Sequence, residues 1–303
     1  MKEASFIAYL RSLSVFDPAV VPVGPGDDMA VVRCGGQDLL VAADQVLDGV
    51  HFRLAEHGAR AAGRKAMARN LSDVAAMAGE PLAAVATVAL PVGFSESDAK
   101  EMYAGLRELG DAFGCPLVGG DVGSWGAALA ISLTILARPG AGGVVLRSGA
   151  RVGDAICVTG ELGAAWQTTR HLTFTPRVAE ARILAERYRP HAMIDLSDGL
   201  SVDLGHVCEA SGVGADVCAP AVPVHPDARK RPDPLAAALG DGEDYELLFT
   251  LPPAEADRLI ADGPLEGVAV TRIGTIVAGA ARTLVLADGR RVELTATGWR
   301  HDT

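Results

Sequence analysis

Aspartate is distributed along this chain in a way that few folds can absorb. Gly26-Asp27-Asp28, the run from Asp44 to Asp48, Asn70-Leu71-Ser72-Asp73, Gly119-Gly120-Asp121 and Asp195-Leu196-Ser197-Asp198-Gly199 all set short carboxylates beside glycine or other small residues. Any one of them could cap a helix or shape a turn. Together they are harder to place, because no Lys or Arg lies between Cys34 and Phe52, or between Pro190 and Ala228. Carboxylates gathered at strand ends repel one another and raise each other's pKa unless a cation joins them. The chain must therefore scatter these acids or fold them around bound cations.

Length and composition narrow the setting. A chain of 303 residues suggests about two domains. Its 49% hydrophobic and 21% charged content is that of an ordinary globular protein despite 35 glycines. The 27 basic and 38 acidic side chains leave a net charge of −11, and Arg229-Lys230-Arg231 is the one basic cluster. Such a surface repels nucleic acid and anionic bilayers, so neither is expected as a partner. Of the acids, 23 are Asp and 15 Glu, a bias toward turns, caps and metal ligation. The first residues lack an apolar core, and the longest near-apolar stretch, 127–137, is too short to span a bilayer. Five widely spaced cysteines without a C-x-x-C are expected to be buried free thiols in a reducing, cytoplasmic compartment.

Periodicity gives both halves helices and strands. The spacing predicts helices over Glu3–Leu13, Ala59–Ala78, Ser95–Gly114, Val178–Tyr188, Leu200–Val207 and Ala254–Ala261. Strands are predicted at Val31-Val32, Leu39–Ala43, Ala83–Leu90, Leu129–Ile135, Ala155–Val158 and Tyr245–Leu251, with a C-terminal hairpin turning at Asp288-Gly289. Pro139-Gly140-Ala141-Gly142-Gly143 is the natural linker, dividing residues 1–138 from 139–303. Pro220–Pro234, with five prolines, reads as an irregular excursion. The fold class is α/β with mixed sheets. Leu-Ser-Asp at 71–73 recurs at 196–198, a weak hint of related halves.

Oxygen-only ligands, with no His or Cys set at ligand spacing, point to Mg²⁺ rather than Zn²⁺ or copper. Magnesium held by a few carboxylates commonly binds substrate phosphates, so the cluster suggests a phosphate-handling enzyme. No G-x-x-x-x-G-K-[ST] or G-x-G-x-x-G loop is present to cradle a nucleotide. Arg147 in Arg147-Ser148-Gly149 could grip phosphate bidentately, or simply be a solvated loop arginine.

With Asp44 followed by Gly49-Val50-His51-Phe52, and with Gly242-Glu243-Asp244-Tyr245-Glu246-Leu247 added, the motifs in their order resemble the thiamine-monophosphate kinase family. That family shares a superfamily with aminoimidazole ribonucleotide synthetase and selenophosphate synthetase. The resemblance covers about residues 24 to 249, with an echo at Gly298-Trp299. It implies an N-terminal domain that binds ATP and Mg²⁺ and pairs its sheets in a homodimer, and a C-terminal α/β domain that completes the cleft. It also implies direct transfer of the γ-phosphoryl group of ATP to thiamine monophosphate. Carried over by position, Asp28, Asp44, Asp73, Asp121, Asp195 and Asp198 would ligate Mg²⁺. Gly120, Asp121, Arg147 and Ser197 would contact ATP, and His51, Glu243 and Trp299 would face thiamine monophosphate. No residue is assigned as a general base.

The chain departs from the family pattern at Ala42-Ala43, where hydroxyl residues are usual, and at Val122-Gly123-Ser124-Trp125, where threonines are. Asp241 replaces a customary glycine, the segment 161–177 looks shortened, and Thr303 stands in place of the usual terminal aromatic. A related ATP-dependent enzyme with another substrate, or an ATP-binding paralogue without turnover, are the alternatives these departures raise.

Overall fold

The computed structural model describes residues 3–298. In chain order the first half comprises α1 (Glu3–Leu13), β1 (Ala30–Cys34), β2 (Gln37–Leu47), α2 (Leu54–Ala76), β3 (Gly79–Pro91), α3 (Glu96–Ala112), β4 (Leu117–Trp125) and β5 (Ala130–Pro139). The second comprises β6 (Ala155–Thr159), α4 (Arg170–Thr173), α5 (Val178–Arg187), β7 (Ala192–Asp195), α6 (Leu200–Ser211), β8 (Gly214–Cys218), α7 (Pro234–Gly240), β9 (Leu247–Leu251), α8 (Pro253–Asp262), β10 (Val270–Val277), β11 (Arg282–Val285) and β12 (Arg291–Glu293).

The first sheet has the order β1-β2-β5-β3-β4, antiparallel except for the parallel pair β3/β4. Alternation sets its faces: Ile131, Leu133, Ile135 and Ala137 of β5, with Ala84, Ala86 and Val88 of β3, are buried under the helix layer. Val85, Leu136, Val118 and Val122 remain exposed. Within α2 the backbone breaks at Gly58 (φ 77°), so the regular helix runs from Ala59, as its alanine pattern predicts. α2 and α3 touch through Gly63 and Gly105, where a Cβ would meet the Met102 and Arg60 carbonyl oxygens at 2.0 and 2.1 Å. Ser95 caps α3 by accepting from the Asp98 amide at 3.0 Å.

The second sheet runs β12-β11-β8-β10-β6-β9-β7. Its central strands read as continuous apolar runs because both faces are covered. Ala155, Cys157, Leu247, Phe249 and Met193 pack into the core shared with the first half. Ile156, Val158, Leu248 and Ile194 pack with α6 into a separate core. α2 therefore lies between the two sheets, touching β2 of the first and β7 of the second.

Two expectations need correction. The strand predicted from Tyr245 starts only at Leu247, because Glu243 and Tyr245 adopt left-handed backbone conformations (φ 61° and 52°). Cys34 and Cys218 are exposed; the other three thiols are buried, and all five are free. The two Leu-Ser-Asp tripeptides occupy unlike settings, one inside α2 and one in the loop after β7. The proline-rich excursion is irregular apart from two short 3-10 turns and is anchored by the buried Ala228.

Candidate active site

Four of the six predicted aspartates converge. Asp28 precedes β1, Asp44 lies in β2, Asp73 lies near the end of α2 and Asp195 ends β7. All four line one cavity of about 220 Å³, together with Ser197, Arg147, Arg69 and Tyr245. One carboxylate oxygen from each of Asp28, Asp73 and Asp195 lies within 4.8 Å of the others.

The missing near-sequence cations arrive from a distance. Arg147 grips Asp28 through Nε (3.1 Å) and Nη2 (2.7 Å), and its backbone amide donates to Asp27 at 3.1 Å. Arg69 Nε lies 2.9 Å from Asp44 Oδ2. Two guanidinium groups thus face four carboxylates, and the excess negative charge shows in the acids. Burial, then the charge of Asp28, pushes Asp195 up to about 7, although Ser72 Oγ donates to its Oδ2 at 2.5 Å. Burial and the charges of Asp44, Asp195 and Asp28 hold Asp73 well above the usual carboxylate range. Asp27 is raised to about 6 by burial and by Asp28.

Asp198 belongs to a neighbouring group, in which one ligand atom each from Asp198, Asp203 and His206 lies within 4.8 Å of the others. Asp203 also accepts from the amides of Asp198 and Gly199 at 3.1 and 3.0 Å. Asp121 is not brought to the cavity within one chain. It sits exposed on the edge strand β4, in register with the exposed Thr87. Three strand spacings separate β4 from β2, roughly 14 Å across the sheet. Gly120, beside it, packs so tightly that a Cβ would lie 1.8 Å from the Ala86 carbonyl oxygen.

The predicted substrate side has its own framework. Lys65 is fully buried; its Nζ donates to the His51 carbonyl at 2.6 Å, lies 2.7 Å from His171 Nδ1 and pairs with Glu243. Burial lowers Lys65 to about 8 against the pull of Glu243. Burial raises Glu243, but the hydrogen bond from His171 and the charges of Lys65 and Arg69 prevail and bring it down to about 2. His171 stacks on Trp166, with centroids 4.4 Å apart. His51 is buried and its Nδ1 accepts from the Leu47 amide at 3.1 Å. Trp299 lies outside the described residues.

Lys65, Arg69 and His171 escaped the sequence reading. For the first two a signal existed: Lys65, Arg69 and Asp73 repeat every four residues, which puts them on one face of α2. Asp241 accepts from the Ala164 amide at 3.0 Å and pairs with Arg231, tying the segment 161–177 to the end of α7. Ala42 and Ala43 line the cavity and bring no side-chain oxygen to it.

Family models of AIR synthase related proteins match both halves, the N-terminal domain over residues 26–138 and the C-terminal domain over 151–286. A thiamine-monophosphate kinase from Rhodopirellula baltica is 40% identical, with 91% of this chain and 89% of that one aligned. The chain belongs to the thiamine-monophosphate kinase family. The family member from Bacillus subtilis is 32% identical over 84% of this chain and 86% of its own. Among solved structures, AaThiL complexed with AMPPCP and TMP superposes with a TM-score of 0.84 at 28% identity, covering 99% of this chain and 97% of its own. Thiamine-monophosphate kinase from Stenotrophomonas maltophilia superposes with a TM-score of 0.76 at 32% identity, covering 95% and 96%.

Proposed function

We propose that this chain transfers the γ-phosphoryl group of ATP to thiamine monophosphate, giving thiamine diphosphate and ADP. The observation that carries the reading is the meeting of Asp28, Asp44, Asp73 and Asp195 in one cavity, with two arginines too few to neutralise them. An all-oxygen donor set with surplus negative charge fits Mg²⁺. Bound there, Mg²⁺ would screen the charge of the phosphates as they approach. Asp28, Asp44, Asp73 and Asp195 are its holders in this reading, with Asp198 at the neighbouring group.

Arg147 and Ser197 reach the same cavity and are suited to hold ATP oxygens. His51, Glu243 and Trp299 are assigned to thiamine monophosphate. Glu243, kept anionic by Lys65 and His171, suits the cationic thiazolium. The acceptor needs no general base, because a phosphate monoester with a second pKa near 6 is largely dianionic at neutral pH. One of its oxygens attacks the γ-phosphorus in line as the bond to the ADP oxygen breaks, and alignment by the binding residues carries the catalysis.

The division at 138/139 gives the N-terminal half most of the metal ligands and the C-terminal half Asp195, Ser197 and Glu243. A homodimer through the open face of the first sheet completes the reading. Val85 and Leu136 are exposed on that face, and Val118, Val122 and Trp125 are exposed along the edge strand β4. Such pairing assigns Asp121 and Gly120 to the partner's cavity, which one chain cannot supply. The five unpaired thiols accord with a reducing cytoplasm.

A coupled assay of ADP release with Mg²⁺ tests the activity. Release is expected to depend on added thiamine monophosphate; release only with another acceptor, or ATP binding without turnover, would sink the proposal. Sedimentation should give a species of about twice the 31.2 kDa chain mass, and a monomer at assay concentration would remove the account of Asp121.

A further inference from the structure

Tyr245 is held as though its hydroxyl were meant for a ligand. The residue is 2% exposed, yet its Oη has no hydrogen-bond partner. Buried hydroxyls are ordinarily paired, and an exception asks for an explanation. The ring stacks flat on Phe174, with centroids 4.1 Å apart and planes 9° from parallel. Its backbone is left-handed (φ 52°), a strained state for a tyrosine. The Tyr245 amide donates to the Leu196 carbonyl at 2.8 Å, and the Glu243 amide to that of Ser197 at 2.7 Å. These bonds fasten the curl against the loop that carries Asp195 and Asp198. Tyr245 thereby lines the aspartate cavity together with Asp44, Asp73 and Ser197.

Arg69 and Arg147 each face an aspartate as an ion pair, whereas the Tyr245 hydroxyl, like Arg69 Nε, is buried without a hydrogen-bond partner and has no ion pair. We infer that the Tyr245 hydroxyl is a catalytic group, donating a hydrogen bond to a phosphate oxygen as phosphoryl transfer proceeds. This rests on the phosphotransferase reading above. A neutral donor suits the position: negative charge spreads over the equatorial oxygens in such a transition state, and a preorganised hydroxyl stabilises it without repelling the cations.

Tyr245→Phe retains the ring and its stack on Phe174 while removing only the orphan hydroxyl. If the hydroxyl serves the ligand, kcat for ADP release falls by about 10- to 100-fold. The KM for ATP and the dependence on Mg²⁺ concentration should change little, and Tm should equal or exceed the parent's. Unchanged kcat overturns the inference. So does a loss recovered by raising Mg²⁺, which would place the hydroxyl in the metal's service, or a lowered Tm, which would reveal a structural partner. A parent that releases ADP only with another acceptor overturns the substrate reading instead, and the variant-to-parent ratio on that acceptor then decides the role of the tyrosine.

Discussion

Asp73→Asn is expected to reduce thiamine-monophosphate-dependent ADP release by at least about a thousandfold, the scale of several kcal/mol of metal-borne charge stabilisation. The same variant, stripped of magnesium, should be as stable as the parent or more so. Asparagine keeps the shape and one oxygen of the side chain but removes a charge surrounded by like charges. Asp73 is held well above the ordinary carboxylate range by burial and by Asp44, Asp195 and Asp28, with Arg69 the opposing influence. A carboxylate serving only to shape α2 would behave in the opposite way, leaving turnover intact. Kinetics and thermal unfolding on one preparation separate the cases. Near-normal turnover, or a marked loss of stability without magnesium, would remove Asp73 from the metal site.

What the sequence revealed depended on how local the signal was. β5 was legible because Leu129, Ile131, Leu133 and Ile135 alternate without interruption. The strand predicted over Ala155–Val158 was legible as apolar, but only the structure shows its residues divided between two cores. β4 went unseen because it contains Gly119, Gly120 and Asp121, residues that disfavour strands. It is a strand through parallel pairing with β3, a long-range contact. β10 carries Arg272 and Gly274 about a register shift, and a Cβ at Gly274 would meet the Asp216 carbonyl oxygen at 2.2 Å, so packing overrides propensity. The same distinction runs through the site. Motifs announced Asp28, Asp44, Asp73 and Asp195, but not that Arg147, 119 residues from Asp28, would be the cation beside it. The position of Asp121 on the edge of a sheet is a fact of strand order, which no local pattern encodes.

Magnesium should stabilise this protein in a way that grows with pH. Asp195 is raised to about 7 and Asp27 to about 6, in each case by burial first and neighbouring carboxylates second, and Asp73 moves the same way. For a carboxyl whose folded pKa is raised, the stabilising contribution is fully present below the unfolded value and is lost as pH rises through the folded value. Without metal, the cluster's contribution therefore declines between about pH 4 and pH 7. A divalent cation competes with those protons and binds better as they leave. The difference in Tm between protein in excess Mg²⁺ and protein in EDTA should be small near pH 5 and reach about 5 °C near pH 8, if the metal is present at roughly a hundred times its dissociation constant. Sodium chloride at matched ionic strength should not reproduce the increment, because screening acts weakly on buried charges. Asp73→Asn should shrink it. An increment independent of pH, or one that sodium chloride matches, would mean that the four carboxylates hold their charge without a bound cation.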